Sequence, residues 1–274
     1  AFDSVTFRNN AQAELEVISN MGELAAEMKK GDGTNNGTVN SSNLVSIYGE
    51  GSPSIESTTT QYYSDLTTAW FDEISKASTD GSFSINVDSF DQGEGGTVGD
   101  HLFDENGIEF EQLIDKGHYG AAHFNHAVNN ILEGDITVSD LHRAIALYGT
   151  NVDFEADANQ YSADYASEHP SSDNTFHMML EEHFNSALET AASEGSVNAS
   201  SEVIHNIKVT WEKALAARAI HYINDGQSTI SAGLESQGNA TQIADGFHGL
   251  AEGIGLVYGL YQVEGKMISD SQIE

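Results

Sequence analysis

Apolar residues recur at helical spacing in seven stretches of the chain. In the first stretch, AQAELEVISNMGELAAEMKKG, the residues Met21, Leu24 and Met28 are three and four positions apart, which is typical of one face of a helix. Gly31 follows two lysines, and a glycine in that position commonly ends a helix. The same spacing predicts six further helices, within residues 59–78, 105–135, 137–149, 173–195, 201–226 and 241–263.

The segments between these stretches are polar. A serine or threonine cap marks the start of the helix at 137–149, and Gly195 and Gly226 are expected to end the two helices that they follow. Residues 79–104 are rich in Gly, Asp and Ser, and they read as a long loop with a short hairpin. Strand patterns are nearly absent. The sequence therefore predicts an all-α helical bundle of about seven helices with long acidic loops.

The charge of the chain narrows the range of partners. Its 274 residues include 43 acidic and 10 basic ones, which gives a formal net charge of −33. Such a surface repels nucleic acid and anionic membranes, and it suits divalent cations, a saline medium or a basic partner. No run of about 18 apolar residues is present, so no membrane span is expected. The absence of cysteine excludes disulfides and thiolate metal sites.

Histidine is the most informative residue type. The chain has 11 histidines, and three of them precede an acidic residue by four positions in a predicted helix, which places each pair on one helix face. Histidine and carboxylate side chains inside a helical bundle are common ligands of iron, manganese and zinc. The candidate metal ligands are His118, Glu181, His183, His221, His248 and Glu252.

Two further residues are expected to support these ligands. Arg218 lies on the inward face of the helix that carries Trp211, and a buried arginine needs a carboxylate, which Glu252, Glu181 or Glu182 could supply. Asp225 pairs with His221 on the same helix. The alternative is a purely structural network in which the same side chains hydrogen-bond only to one another.

The last predicted helix contains the segment DGFHGLAEGIGLVYGLY. On a helix, His248, Glu252, Gly255 and Gly259 fall on one stripe, and small residues at that spacing let a neighbouring helix approach closely. We expect the Trp211 helix to be that neighbour. His248 and Glu252 would then face inward toward His221 or Arg218.

No catalytic motif accompanies these residues. The chain has no GxSxG elbow, HExxH pair, phosphate-binding loop or dinucleotide fingerprint. The loops GDGTNNG and DQGEGG are calcium candidates by composition, but neither has the spacing of an EF-hand, so solvated loops are the preferred interpretation. A hydrolase is therefore the least favoured class of function.

Three stretches together resemble the DUF4856 family of exported bacterial proteins. They are ENGIEFEQLIDKGHYGAAHFNHAVNNIL, TFHMMLEEHFNSALETA, and the C-terminal WEKALAARAIHYIND with ADGFHGLAEGIGLVYGLY. That family is similar to the imelysin-like proteins. The resemblance implies one all-helical domain over residues 1–274, built from two bundle halves at 1–135 and 136–274. It also implies export to the periplasm, the outer-membrane surface or the medium, with a role in iron uptake.

The imelysin motif Gly-x-His-x-x-Glu is not intact here. Glu252 follows His248 one residue too late, and Ala121 stands where a glutamate would follow His118. Peptidase activity therefore gains no support. The chain begins with Ala1 rather than methionine, which agrees equally with removal of an export signal and with trimming.

Two hypotheses follow. The first is an exported, non-catalytic protein that binds a metal ion, with iron favoured and zinc or calcium as alternatives. Its expected partner is an outer-membrane or cell-surface protein, or a second copy of the chain. The second hypothesis is a structural or adhesive surface protein whose His/Glu network holds no metal.

Overall fold

A computed structural model describes residues 3–80, 95–171 and 174–274, together with two short strands at 84–85 and 90–91. Within these residues the chain forms twelve α-helices, which confirms the all-α class. They are α1 (Ser4–Asn10), α2 (Gln12–Met28), α3 (Ser41–Tyr48), α4 (Ile55–Thr58), α5 (Gln61–Asp80), α6 (Phe110–His118), α7 (Val138–Tyr148), α8 (Tyr161–Ser167), α9 (Phe176–Glu194), α10 (Glu202–Glu235), α11 (Ala240–Leu260) and α12 (Asp270–Ile273).

Short strands and tighter or wider helical turns connect these helices. Turns of 3₁₀-helix occupy Lys29–Gly31 and Ala156–Ala158, and π-helix occupies Tyr119–Phe124 and Ala127–Ile131. The residues that the structure describes form four antiparallel strand pairs, namely β1 (Ser84–Ile85) with β2 (Phe90–Asp91), β3 (Gly96–Val98) with β4 (His101–Phe103), β5 (Asp135–Ile136) with β8 (Val197–Asn198), and β6 (Pro170–Ser171) with β7 (Asn174–Thr175). In the described part of the chain, no helix combines the length and the apolar character that crossing a membrane requires.

The helix count exceeds the predicted seven because five helices are short. The helices α1, α3, α4, α8 and α12 have four to eight residues each, too few for an apolar stripe to repeat. The starts of three of them, α1, α3 and α4, are marked by local capping instead. The side chains of Asp3, Asn40 and Ser54 accept hydrogen bonds from backbone N–H groups in the first turns of α1, α3 and α4.

Of the predicted helix ends, those at Gly195 and Thr137 are confirmed and the one at Gly226 is wrong. Gly195 ends α9 in the left-handed conformation with φ 92°, as predicted, and Thr137 caps α7. The prediction that Gly226 ends its helix is wrong, because α10 continues to Glu235. Gly226 lies against the backbone of α11, and a β-carbon there would be 2.7 Å from the carbonyl oxygen of Gly246. The close packing of α10 against α11 thus requires a glycine at this position inside the helix.

Helix α11 packs on two neighbours through glycine. On one side, β-carbons at Gly246 and Gly253 would be 2.8 Å and 3.0 Å from carbonyl oxygens of α10. On the other side, a β-carbon at Gly255 would be 3.0 Å from the Leu113 carbonyl oxygen, and one at Gly259 would be 2.1 Å from that of Gly117. Close helix packing is confirmed, but the Gly255–Gly259 stripe faces α6, not the Trp211 helix.

Two large cores hold the fold together. The larger one joins residues of α1, α7, α8, α9, α10 and α11 to the π-helical segment around Phe124. The second joins α2, α3, α5 and α6. Trp211 is fully buried in the larger core, and Tyr63 of α5 is fully buried as well. The larger core draws on both sides of residue 135, and the division into two halves stays a prediction.

A buried ion pair ties α2 to α7. Glu14 is fully buried, and its Oε1 accepts hydrogen bonds from Arg143 Nε and Nη2 at 2.9 Å and 2.8 Å. Burial alone would raise the pKa of Glu14, but His126 and Arg143 outweigh it and lower the pKa from 4.5 to about 2. The carboxylate is therefore held ionised by its partners.

Replacing Glu14 with glutamine is expected to lower the free energy of unfolding at pH 7 by about 3 kcal/mol, the value of this pKa shift. Because the folded-state pKa is depressed, the contribution is complete above pH 4.5 and is lost as the pH falls toward 2. Urea unfolding at pH 7 and pH 3 should show the difference from wild type shrinking to about half. Glu16→Gln, at an exposed position of the same helix, should change little at either pH. Equal destabilisation by Glu14→Gln and Glu16→Gln would contradict the conclusion that the buried ion pair of Glu14 stabilises the fold.

Candidate metal centre

Two histidines converge on one buried glutamate. Glu109 directly precedes α6, His248 lies on α11 and His101 lies on β4. The Nδ1 atom of His248 is 2.8 Å from Glu109 Oε2, and the Nδ1 atom of His101 is 3.3 Å from Glu109 Oε1. The two imidazole rings stack with their centroids 4.2 Å apart. The cluster thus presents two imidazole nitrogens and one carboxylate to a common centre.

The outward nitrogen of each imidazole faces a second carboxylate. His101 Nε2 is 3.2 Å from Asp245 Oδ1, and His248 Nε2 is 3.7 Å from Glu252 Oε2. Metal-binding histidines commonly direct their second nitrogen to a carboxylate, which fixes the ring orientation and increases the basicity of the ligating nitrogen. Lys116 lies 3.7 Å from the other oxygen of Glu252. The outer carboxylates therefore leave both Nδ1 atoms directed at Glu109.

Hydrogen bonds between the carboxylate and the imidazoles stabilise the charged forms of Glu109 and His101. Burial raises the pKa of Glu109, but hydrogen bonds with His101 and His248 outweigh it and hold that pKa below its usual value. Burial lowers the pKa of His101, but hydrogen bonds with Glu109 and Asp245 outweigh it and raise that pKa. An ionised Glu109 suits either protonated imidazoles or a metal cation.

The spacing of the three donors is close to that of a metal site. The ligand atoms of His101, Glu109 and His248 all lie within 4.8 Å of one another, and no other group of three histidine or acidic residues in the described part of the chain meets that distance. Two ligands at about 2.1 Å from one ion are at most about 4.2 Å apart. The two distances from the Nδ1 atoms to the oxygens of Glu109, 2.8 Å and 3.3 Å, fall within that limit.

The cluster opens onto a cavity of about 210 Å³, whose wall includes the apolar side chains of Met28 and Leu102. Its wall contains charged and polar side chains from four segments, namely Lys29, Asp32, Asp100, His101, Glu109, Glu111, Gln112 and His248. Burial, reinforced by the nearby Asp115 and Glu109, raises the pKa of Glu111 to about 8. The cavity gives the open side of the cluster room for water or a further ligand.

Of the ligands predicted from the sequence, only His248 and Glu252 belong to this cluster. His118 is buried elsewhere, with Nδ1 2.6 Å from the Ile114 carbonyl oxygen, and burial lowers its pKa to about 4. His183 and Glu181 are half-buried on α9. His221 and its predicted partner Asp225 are exposed on α10.

Arg218 also differs from its expected position. It forms an ion pair with Glu168, not with Glu252, Glu181 or Glu182, and its guanidinium lies over the rings of Tyr165 and Tyr222. The aromatic rings and the single carboxylate account for its half-buried position without a metal site. Of the predicted site residues, the structure therefore brings together His248 and Glu252, and it places His118, His183, His221 and Arg218 outside the His101–Glu109–His248 cluster.

The residues that the sequence analysis missed are His101, Glu109 and Asp245. His101 falls within residues 79–104, which read as a loop, and it belongs to no helical stripe. Its contact with Asp245 spans 144 positions, and that of Glu109 with His248 spans 139. The available signal was the pair His248–Glu252, which the structure places together as an i, i+4 pair.

Comparison of the chain with family models, curated proteins and solved structures finds no match. The resemblance to DUF4856 and to imelysin-like proteins stays a prediction that rests on the quoted stretches. The geometry of the His101–Glu109–His248 cluster carries the functional argument.

Proposed function

We propose that this protein binds one first-row transition metal ion through His101, Glu109 and His248. The observation that carries the proposal is the convergence of both Nδ1 atoms on Glu109 while each Nε2 faces an outer carboxylate. Two imidazoles and one carboxylate leave coordination positions open, and this donor set is used for Fe(II) and for zinc. Iron is the ion that we favour.

The setting of this activity is part of the same proposal. We infer a non-catalytic, exported, imelysin-like protein that acts in iron uptake in the periplasm, at the cell surface or in the medium, with a surface protein as partner. The sequence resemblance supports this setting, and the net charge of −33 favours cation binding and disfavours nucleic acid. We do not propose a peptidase activity for this protein.

One observation favours the structural alternative. In the cluster, Glu109 is already paired with both His101 and His248, so its charge is compensated without an ion. A cluster of that kind would hold β4, α6 and α11 together by hydrogen bonds alone. Under this alternative, the protein would contain no metal and would bind none with specificity.

Metal analysis separates the two functions. We expect protein purified without chelators to contain about one equivalent of Fe or Zn by inductively coupled plasma mass spectrometry. After chelation, it should bind Fe²⁺ anaerobically, and Zn²⁺, with a stoichiometry of one in isothermal titration calorimetry. Protein that is metal-free as isolated and shows no saturable Fe²⁺, Zn²⁺ or Mn²⁺ binding would refute the proposed function and leave the structural one.

A further inference from the structure

A groove of about 570 Å³ lies between α5 and α11, and residues around the start of α6 line it between these two helices. Sites for small molecules are typically clefts of about 300–1,000 Å³ with mainly apolar and aromatic walls. Only one of the thirteen lining residues, Glu109, is charged. Five of them are aromatic, namely Tyr62, Trp70, Phe110, Phe247 and Tyr258. The groove therefore has the size and the lining of a small-molecule site.

Three large apolar side chains of the groove remain exposed to solvent. Ile108 is 39% exposed, Ile254 is 38% exposed and Tyr258 is 45% exposed. Contiguous apolar surface that is left exposed on a protein commonly marks a binding site. An apolar ligand in the groove would remove these side chains from water, which is favourable in proportion to the area covered.

Contacts between aromatic rings give the groove its shape. The rings of Trp70 and Phe110 lie with their centroids 5.6 Å apart, so α5 is packed against the start of α6. At the other end of the lining, the ring of Tyr62 meets that of Tyr261, directly after α11, with centroids 4.8 Å apart. The two walls therefore converge at that end. Along α11 the lining extends from Phe247 to position 258, which is about 16 Å at 1.5 Å per residue.

The charges around the groove disfavour an anionic ligand. All of the lining residues fall within 61–75, 105–113 and 240–262, and these segments contain no lysine or arginine. The single charged side chain of the wall, Glu109, is a carboxylate, and the whole chain carries a net charge of −33. A carboxylate or phosphate that entered the groove would lose hydration without gaining a cationic partner. Fatty acids and other anionic lipophiles are therefore poor ligands.

We propose that this groove binds a small lipophilic molecule that carries no negative charge. A protein partner fits less well, because a standard protein interface uses about 20–30 residues on each side, whereas thirteen residues line the groove. A second copy of the chain would also bring a further net charge of −33 against the first. This inference goes beyond the proposed function, and it requires no metal ion.

Three ligands with the same alkyl chain test the proposal. Decanol, decylamine and decanoate differ only in the head group, which is neutral, cationic and anionic at pH 7. In titration calorimetry of chelated protein, we expect one decanol and one decylamine to bind, and decanoate to bind at least tenfold more weakly. Titration in about 1 M NaCl, where the Debye length is about 3 Å, suppresses long-range effects of the acidic surface on the charged ligands.

Tryptophan fluorescence reports where the ligand binds. The chain has two tryptophans, of which Trp70 lines the groove and Trp211 is fully buried in the larger core. Decanol should therefore change the emission of Trp70, and the change should persist in the variant Trp211→Phe.

Matched substitutions at two exposed isoleucines locate the site. Ile254→Asp places a carboxylate in the groove and should weaken decanol binding at least tenfold, because the ligand would desolvate that charge. Ile220→Asp, at a 62% exposed position of α10 outside the groove, should bind decanol as wild type does. Ile254→Lys supplies the missing cation and should raise the affinity for decanoate at least tenfold. Circular dichroism checks that each variant keeps its helical content.

The proposal is overturned if decanol does not bind, if decanoate binds as tightly as decanol, or if Ile254→Asp and Ile220→Asp bind decanol equally. Sedimentation velocity tests the other occupants. Self-association, or binding to phosphatidylcholine vesicles, that Ile254→Asp abolishes and Ile220→Asp does not would show that a second copy or a membrane covers the groove. Either result would also overturn the proposal.

Discussion

Replacing both His101 and His248 with alanine is expected to lower the affinity for Zn²⁺ and Fe²⁺ by more than about 100-fold. Loss of an outer-shell partner alone costs about 10–100-fold in metal affinity, and this variant removes two of the three inner ligands. Calorimetric titration of chelated protein measures the change. The single variant Glu109→Gln should lose affinity as well, because an amide cannot supply the negative charge of the carboxylate.

The control for this experiment comes from the sequence prediction itself. His183 and His221 were expected to be ligands, but they lie on α9 and α10 away from the cluster. The variant His183→Ala/His221→Ala also removes two imidazole side chains, but at positions outside the cluster. It should therefore bind metal as wild type does. If it loses metal binding and the His101/His248 variant keeps it, the metal is bound by His183 and His221 and the proposed site is refuted.

Gly259→Ala should destabilise the protein by at least about 2 kcal/mol. In an exposed helix the same substitution stabilises by about 0.5–1 kcal/mol, because alanine is the better helix former. At Gly259 the new methyl group would be 2.1 Å from the Gly117 carbonyl oxygen and 2.8 Å from its Cα, and a backbone contact cannot be relieved by a side-chain rotation. Overpacking of this kind typically costs about 1–3 kcal/mol and occasionally more.

Gly22 provides the matched control. It lies inside α2 at an exposed position, where a β-carbon would meet only the Tyr161 hydroxyl at 3.7 Å, an ordinary contact. Gly22→Ala should therefore raise the free energy of unfolding. Guanidinium chloride unfolding of both variants should give shifts of opposite sign. Stabilisation by Gly259→Ala would show that α6 and α11 are not packed as closely as described.

The sequence was most informative where a pattern repeats along one element. The apolar stripes predicted the long helices, and the small residues of α11 predicted close helix packing, because both depend on a local period of about 3.6 residues. The same local rule failed at Gly226. There the contact with Gly246 on another helix decides the conformation, and no pattern within α10 carries that information.

The site was predictable only in part for the same reason. His248 and Glu252 are four residues apart on one helix, so their pairing follows from spacing. Glu109 and His101 join them through tertiary contacts across 139 and 144 positions, and His101 lies on a three-residue strand. A single strand of that length offers no periodicity, so a sequence-based search weighs its histidine no more than any other.

The close glycine contacts on the two sides of α11 bear on which ligand of the cluster can move. Because the backbone of α11 touches α6 on one side and α10 on the other, the helix that carries His248 packs directly against the helix that Glu109 precedes. His101 stands on a hairpin outside these contacts. Any adjustment of the ligand positions to an ion then falls to His101. We expect the two helix-borne ligands to be preorganised, with His101 closing last on an arriving ion and opening first when it leaves.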